Sequence, residues 1–176
     1  MPEAFLITDR LTIRKFSLDD APFILELVND PDWLKFIGDR KVHTLTDAKN
    51  YIVNSFFMSY TAFGFGPYLV ALKENDLPVG ISCLIKRDSL QNVDIGYAFL
   101  KAHRGKGYAI EAVMATQNYA HTELDLGTLV AITNSDNLAS IALLKKLGFQ
   151  FEKNILLPND TEEVLLFKES MSRDKK

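Results

Sequence analysis

Alternating apolar and polar positions predict strands in several parts of the chain. Near the start, residues 5–16 (FLITDRLTIRKF) alternate around Leu11 and Ile13, which predicts one strand. From residue 67 the two-residue period returns, and PYLVALK, PVGISCLIKRD and NVDIGYAFL predict three strands joined by turns. Residues 128–133 (TLVAIT) are short and continuously apolar, as in strands inside a sheet. The segments FQFEKN and EEVLLFKES predict two further strands.

A helical period predicts two helices between the first strand and residue 67. The first follows Asp19 and Asp20, which favour a helix start. Its apolar face is predicted to contain Phe23, Ile24, Leu27 and Val28. The second helix is predicted to start at Thr46, and residues 30–43 between the two helices are predicted to be irregular.

Two more helices are predicted after the central strands. The first covers residues 106–123, with an apolar face made of Ala109, Ile110, Val113, Met114 and Ala120. The second covers residues 138–147 and ends at Gly148, a residue type favoured just after a helix. The resulting order, β-α-α-β-β-β-α-β-α-β-β, indicates an α/β (α+β) fold with a single mixed sheet.

Length and composition narrow the class of protein. The chain has 176 residues, 47% of them hydrophobic, and no repeat or linker, so we expect one domain over residues 1–170 and a frayed polar tail over residues 171–176. A net charge of −3 argues against a nucleic-acid partner. One cysteine excludes an intramolecular disulfide, and no apolar stretch is long enough to span a bilayer. We therefore expect a cytoplasmic protein with no membrane partner, and the scattered histidines predict no metal site.

The segment HRGKGYAIEA, residues 103–112, places two glycines where a helix is predicted to begin. Glycine costs about 1 kcal/mol relative to alanine in a helix, so another constraint is expected here. A phosphate-binding P-loop would need a glycine at Leu100 and a hydroxyl residue at Gly107, and a dinucleotide-binding fingerprint would need a glycine at Ile110. Both signatures fail, yet a glycine turn before a helix remains suited to binding an anion on backbone amides.

Three motifs, which follow one another along the chain, resemble motifs of a single family in the same order. The pattern Arg104-x-x-Gly107-x-Ala109 after a strand resembles the acyl-CoA-binding motif of the GNAT N-acetyltransferase superfamily. Downstream, the segment from Asn137 to Phe149 (NLASIALLKKLGF) resembles the RimJ/RimL-like branch, as does the opening TDRLTIRKFSLDDAPFILELVNDPD. The resemblance covers most of the chain and implies the GNAT-type acyl-CoA N-acyltransferase fold, with a mostly antiparallel sheet flanked by helices.

The resemblance also implies which residues bind the co-substrate acetyl-CoA. Backbone amides of the glycine turn would hold its pyrophosphate, and the backbone near Leu100 its pantetheine arm. The implied set is Phe99, Leu100, Arg104, Gly105, Lys106, Gly107, Tyr108, Ala109, Asn137 and Ser140. Several of these have a structural alternative: the two glycines as a tight turn, Arg104 and Lys106 as solvated charges, Asn137 as a helix cap, and Ser140 as support for that cap.

The resemblance also implies acceptor-lining residues and candidates for proton transfer. Trp33 and Phe36 are implied to line the acceptor site, and Asp94 is the candidate base, with an arginine partner or solvent contact as its alternative. Many relatives carry a proton-donating tyrosine where this chain has Leu144, which leaves Ser140, a water or another tyrosine for that role.

The implied function is transfer of an acetyl group from acetyl-CoA to a primary amine. At pH 7 an α-amine is neutral in about one molecule in seven, but a lysine-like amine in only about one in 2,500. A site without a strong base therefore favours an α-amine, such as a protein N-terminus. The alternatives are a non-catalytic acyl-CoA-binding domain or an acetyltransferase of polyamines or aminoglycosides, and the family implies a monomer or homodimer.

Overall fold

A single sheet of eight strands organises the computed structural model, which describes residues 2–170. Its strand order is β1-β2-β3-β4-β5-β6-β8-β7. The strands are β1 (Ala4–Ile7), β2 (Leu11–Lys15), β3 (Pro67–Leu72), β4 (Pro78–Ile85), β5 (Asp94–Phe99), β6 (Val130–Thr133), β7 (Phe149–Leu156) and β8 (Glu163–Glu169). Only β5 and β6 are parallel neighbours within this sheet, which confirms the mixed, mostly antiparallel fold. The tail predicted over residues 171–176 lies outside the described residues.

Helices cover both faces of the sheet. They are α1 (Ala21–Val28), α2 (Pro31–Phe36), α3 (Leu45–Tyr51), α4 (Met58–Phe63), α5 (Tyr108–Thr122) and α6 (Leu138–Lys146). A wide π-helical turn, Ile52–Phe57, joins α3 to α4. Short 3₁₀ turns precede α1 and follow β5, at Leu18–Asp20 and Lys101–His103.

The core consists of two layers because successive side chains of a strand point to opposite faces. On β3, Tyr68 and Val70 pack with α5 and α6, on what we call the α5 face. Leu69 and Ala71 pack with α1 to α3, on what we call the α1 face. Both layers consist mainly of apolar side chains that pack against the sheet.

The structure corrects two of the predicted boundaries near the N-terminus. The strand predicted over residues 5–16 is two antiparallel strands, because the chain turns at Thr8, whose backbone N–H donates to the carbonyl of Leu11 at 2.9 Å. The helix predicted from Thr46 begins at Leu45, with Thr44 as its N-cap. The Thr44 hydroxyl accepts from the Asp47 amide at 3.1 Å, which completes a capping box.

Residues 30–43, predicted to be irregular, contain the six-residue helix α2. Asp30 caps it by accepting from the Asp32 amide at 3.0 Å, and Pro31 occupies its first position. A helix of this length has too few turns to show a period, so the cap and the proline were the only local signals.

The predicted buried face of α5 is also partly wrong. Met114 is 57% exposed, whereas Ala112 and Thr116 are buried together with Val113 and Ala120. The hydroxyl of Thr116 shares a buried hydrogen bond of 2.8 Å with Ser82 of β4. The helix therefore turns small and polar side chains toward the sheet, which a search for large apolar residues does not detect.

Candidate functional site

The parallel strands β5 and β6 separate soon after they meet. They pair at Asp94 and Val130, and beyond that point a cavity of about 970 Å³ opens beside them. Its wall contains every predicted site residue except Leu100 and Lys106. The structure thus brings together residues that are far apart in the sequence.

Backbone groups of β5 face this opening. The Leu100 amide donates to Val79 of β4 at 3.0 Å, so the alternation of an antiparallel ladder turns the backbones of Tyr97 and Phe99 away from β4. The amides of Tyr97 and Phe99 have no strand partner in the described chain. Leu100 was predicted to bind the cofactor through its backbone, but its amide is occupied and its carbonyl accepts from the His103 amide at 2.9 Å.

The glycine loop, residues 104–107, has unpaired amides at the start of α5. Gly105 and Gly107 have φ values of +73° and +81°, a left-handed conformation that side chains disfavour. Among the described residues, nothing accepts a hydrogen bond from the amides of Gly105, Lys106 or Gly107. Such a set of amides at a helix N-terminus suits a pyrophosphate, so these residues fit coenzyme A.

Arg10, in the turn between β1 and β2, supports the glycine loop. Its Nη1 donates to the Lys106 carbonyl at 2.9 Å, and its Nε donates to Glu111 at 2.7 Å. Thr8 also donates to Glu111, at 2.6 Å. Burial alone would raise the pKa of Glu111, but these hydrogen bonds outweigh it and the pKa is lowered. The Glu111 carboxylate therefore stays charged and fixes the first turn of α5.

The side chain of Arg104 points to α2. Its Nη2 pairs with Asp30 at 2.7 Å, its Nη1 pairs with Asp32, and its Nε donates to the Phe99 carbonyl at 2.7 Å. The guanidinium is thus balanced by carboxylates, an arrangement that differs from the solvated charge stated as the alternative to coenzyme binding. Lys106 has an exposed side chain with no ion pair in the described residues.

Tyr97 and Ser140 join β5 to α6 across the cavity. Their hydroxyl oxygens are 3.0 Å apart, and burial raises the pKa of Tyr97 to about 12. The Tyr97 hydroxyl is therefore protonated at neutral pH. Asn137 caps α6 by accepting from the Ser140 amide at 3.1 Å, which is the structural alternative stated for it.

Asp94 is almost completely buried, at 2% exposure, on the α1 face of β5. Its Oδ2 accepts from Arg87 Nε at 2.8 Å. Oδ1 is buried without a hydrogen bond of ordinary geometry, although the backbone of Ile132 lies near enough to favour the charged form. Burial nevertheless raises the pKa of Asp94, with Arg87 opposing that shift.

Trp33 and Phe36 place α2 over the same cavity. Trp33 is buried and Phe36 is half-buried, and both line the wall. Besides its contact with Arg104, α2 is tied to the loop after β6, because Lys35 pairs with Asp136 at 3.0 Å. This short helix thus spans the two sides of the opening.

Residues 10–150 match the family model described as an acetyltransferase (GNAT) domain. The chain belongs to the GNAT family.

Individual relatives agree with this assignment. The chain is 32% identical to an uncharacterized N-acetyltransferase p20 of Bacillus licheniformis over 151 residues, covering 84% of this chain and 83% of that protein. It resembles the crystal structure of a GNAT acetyltransferase from Bacillus anthracis, with TM-score 0.74, 26% identity and 95% coverage of each chain. The fold of RimL, a ribosomal L7/L12 alpha-N-protein acetyltransferase in complex with coenzyme A, also matches, with TM-score 0.77, 17% identity and coverage of 98% and 100%.

The predictions of a GNAT fold and of an acyl-CoA-dependent N-acetyltransferase are confirmed by these matches. Within residues 2–170, no helix combines the length and apolar character needed to cross a bilayer. In the same range, no three His, Cys, Asp or Glu side chains come close enough to hold a metal ion.

Several residues of this GNAT site were not indicated by the sequence. Arg10 lies 96 residues before the Lys106 carbonyl that it contacts, and Arg87 lies outside every motif. Tyr97 belongs to a predicted strand, and that position gives no sign of the helix opposite. For Arg10 and Arg87 no local signal exists, since their roles arise only from strand pairing.

Proposed function

We propose that this GNAT protein transfers an acetyl group from acetyl-CoA to a primary amine, with an α-amine as the preferred acceptor. The observation that carries the proposal is the cavity itself, which has unpaired amides of the glycine loop at one end and the Tyr97–Ser140 pair in its wall. Acetyl-CoA supplies the activated acetyl group when it is bound. The residues of this chain bind it, orient the acceptor and move the protons.

The pyrophosphate and the pantetheine arm of the coenzyme would bind to separate groups of backbone amides. Amides of Gly105, Lys106 and Gly107 would bind the pyrophosphate, each charge-assisted hydrogen bond being worth about 1.5–3 kcal/mol. The free amides of Tyr97 and Phe99 support binding of the pantetheine arm beside β5, in the manner of an added strand. The proposed backbone partners of the pantetheine arm therefore include Tyr97 in place of Leu100.

Ser140 and Tyr97 are the proposed source of the proton that the leaving thiolate takes up. Ser140 lies in the first turn of α6, and its hydroxyl bonds to that of Tyr97. Because Tyr97 remains protonated at neutral pH, it can resupply the proton through Ser140. This assignment gives a tyrosine the role that the sequence left open after Leu144 failed to supply one.

Asp94 is the proposed acceptor of the amine proton. A general base works best when its pKa lies near the working pH, where it is ionised and still binds a proton well. The raised pKa of Asp94 shifts this residue toward that condition. Since Arg87 holds Oδ2, the remaining oxygen Oδ1 is the one that would take the proton. A weak base of this kind suits an α-amine, of which a larger fraction is already neutral.

The α-amine preference also gains support from the fold shared with RimL, which is described as an alpha-N-protein acetyltransferase. A thiol-release assay tests the proposal. Purified protein is incubated with acetyl-CoA and short peptides with a free N-terminus, peptides whose only amine is a lysine side chain, or spermidine. Turnover of the N-terminal peptides is expected to dominate, and turnover of spermidine alone would reject the α-amine.

A further inference from the structure

Arg87 presents an open guanidinium edge to the cavity. It lies two residues after the end of β4, lines the cavity wall, and is 32% exposed. Only its Nε is engaged, by Asp94, and within residues 2–170 its two Nη groups make no hydrogen bond. Asp94 therefore fixes the orientation of the guanidinium and leaves its outer N–H groups for another acceptor of hydrogen bonds.

Arg40 provides a second cation in the cavity wall. It lies between α2 and α3, lines the cavity, and its side chain has no hydrogen-bonded partner in the described residues. Burial raises the pKa of Tyr51 on the α1 face, and Arg40 opposes this rise. Likewise burial raises the pKa of Cys83 on β4 to about 12, and Arg87 opposes it. Arg40 and Arg87 thus line the wall of the same cavity.

Three of the carboxylates around the cavity are already paired, so none of these three neutralises Arg40. The carboxylates of Asp30 and Asp32 are paired with Arg104, and Asp94 is paired with Arg87. Among lining carboxylates of the described chain, Asp160 in the β7–β8 loop has no ion pair. The wall therefore offers both a free carboxylate and free guanidinium N–H groups.

We infer that the acceptor carries a carboxylate close to its amine, and that Arg87 and Arg40 bind this carboxylate. The inference rests on the proposed function and narrows its substrate class to amines that are also acids. Guanidinium groups bind carboxylates through two parallel hydrogen bonds, which orients the acceptor as well as attracting it. A polyamine would place positive charge against both arginines, so polyamines are excluded as preferred acceptors.

Matched acceptors test the inference without changing the protein. Two peptides that begin Ser-Glu and Ser-Gln differ in one carboxylate and have nearly the same N-terminal amine. We expect kcat/KM for the Ser-Glu peptide to be about tenfold higher or more, as one charge-assisted hydrogen bond would give. Free glutamate and its diamide form a second pair, which shows whether the carboxylate is that of a peptide side chain or of a free amino acid.

The outcomes separate this inference from the proposed function. Equal kcat/KM for acid and amide in both pairs overturns the inference and leaves the acetyltransferase proposal intact. Absence of turnover with every amine overturns the proposed function itself. Preference for either acid supports the inference and identifies the source of the carboxylate.

Variants then test which residues are responsible. Arg40→Gln changes an exposed side chain, so folding should be retained, and it is expected to lower the acid-to-amide ratio of kcat/KM by about tenfold. Arg87→Lys keeps a cation for Asp94 but loses the planar fork, and should lower the ratio as well. Lys49→Gln, an exposed cation of α3 outside the cavity wall, is the control that keeps the ratio. A wild-type ratio in both arginine variants would overturn the assignment.

Discussion

Asp94 is the residue whose protonation links stability to the proposed chemistry. Its folded-state pKa is raised above the unfolded value, mainly by burial, so the protonated form is the one that folding favours. The stabilisation from this group is present at pH values below the ordinary carboxyl pKa, and it is lost as pH rises through the raised pKa. Ionisation of Asp94 as pH rises therefore lowers the free energy of unfolding.

Asp94→Asn is predicted to separate activity from stability. The amide imitates the protonated carboxyl, so the melting temperature at pH 7 should not fall, and Arg87, 32% exposed, can be solvated instead. If Asp94 is the base, kcat should fall by about 10²–10⁴-fold. Steady-state kinetics and thermal denaturation check both parts. An unchanged kcat would assign Asp94 to structure alone.

Tyr97→Phe is predicted to lower kcat and leave the affinity for acetyl-CoA unchanged. The ring is retained, so packing on the α5 face is preserved, and only the hydroxyl bonded to Ser140 is lost. We expect a loss of about tenfold or more, as for removal of a proton donor. Combining it with Ser140→Ala should add little, because the two hydroxyls act in one relay. Fully additive losses would show independent roles.

Local backbone constraints at single residues were readable from the sequence, and long-range partners were not. Gly107 adopts φ +81° and Asn137 caps α6, and both follow from rules that act within a few residues. The partners of Arg104 and Asp94 depend on which segments meet after folding. For this reason the sequence indicated a coenzyme contact or a solvated charge for Arg104 and gave no sign of its contact with α2.

At the scale of elements, α2 is positioned by contacts at both of its ends. Arg104 pairs with Asp30 and Asp32 at its start, and Lys35 pairs with Asp136 near its end. The exposed pair of Lys35 adds little energy by itself, whereas the half-buried Arg104 makes three interactions. Arg104 is therefore the contact that fixes Trp33 and Phe36 over the cavity.

Arg104→Gln is predicted to raise KM for the acceptor, with little change in KM for acetyl-CoA. The substitution frees the start of α2, and with it the acceptor-lining side chains, but leaves the amides of the glycine loop in place. Arg104→Lys should restore part of the effect, and Lys101→Gln, an exposed cation nearby, is the control. A rise confined to KM for acetyl-CoA would instead support the cofactor role predicted from the sequence.

Long elements with a clear period were predicted well, and short or interrupted ones were not. Strands β3 to β5 and helix α6 are close to their predicted bounds. The turn at Thr8 and the helix α2 were missed. Hydrophobic periodicity is recognised over a window of about 11–18 residues, and a three-residue turn or a six-residue helix changes it little. The acceptor side is built from such elements, so the acceptor was the least predictable part of the site.

At the scale of the whole molecule, the position of the site depends on the one pair of parallel strands among the described residues, β5 and β6. Strand β8 inserts between β6 and β7, and β6 stands parallel to β5, so the opening falls near the middle of the sheet. The hydrophobic pattern predicted a mixed sheet but not this strand order, because the alternation of apolar and polar residues along a strand does not depend on which strands are its neighbours. The mostly antiparallel topology was expected only from the resemblance to GNAT proteins.

Coenzyme binding should therefore stabilise the whole fold through the glycine loop. At 100 times its Kd, acetyl-CoA adds about 2.7 kcal/mol, or a melting shift of about 5–10 °C for this size. Gly107→Ala should abolish most of the shift, because its Cβ would meet Arg10 at 3.2 Å in a strained backbone. Gly64→Ala, with φ +78° and open space, has similar strain but should keep the shift. A full shift in Gly107→Ala would disprove amide-based binding there.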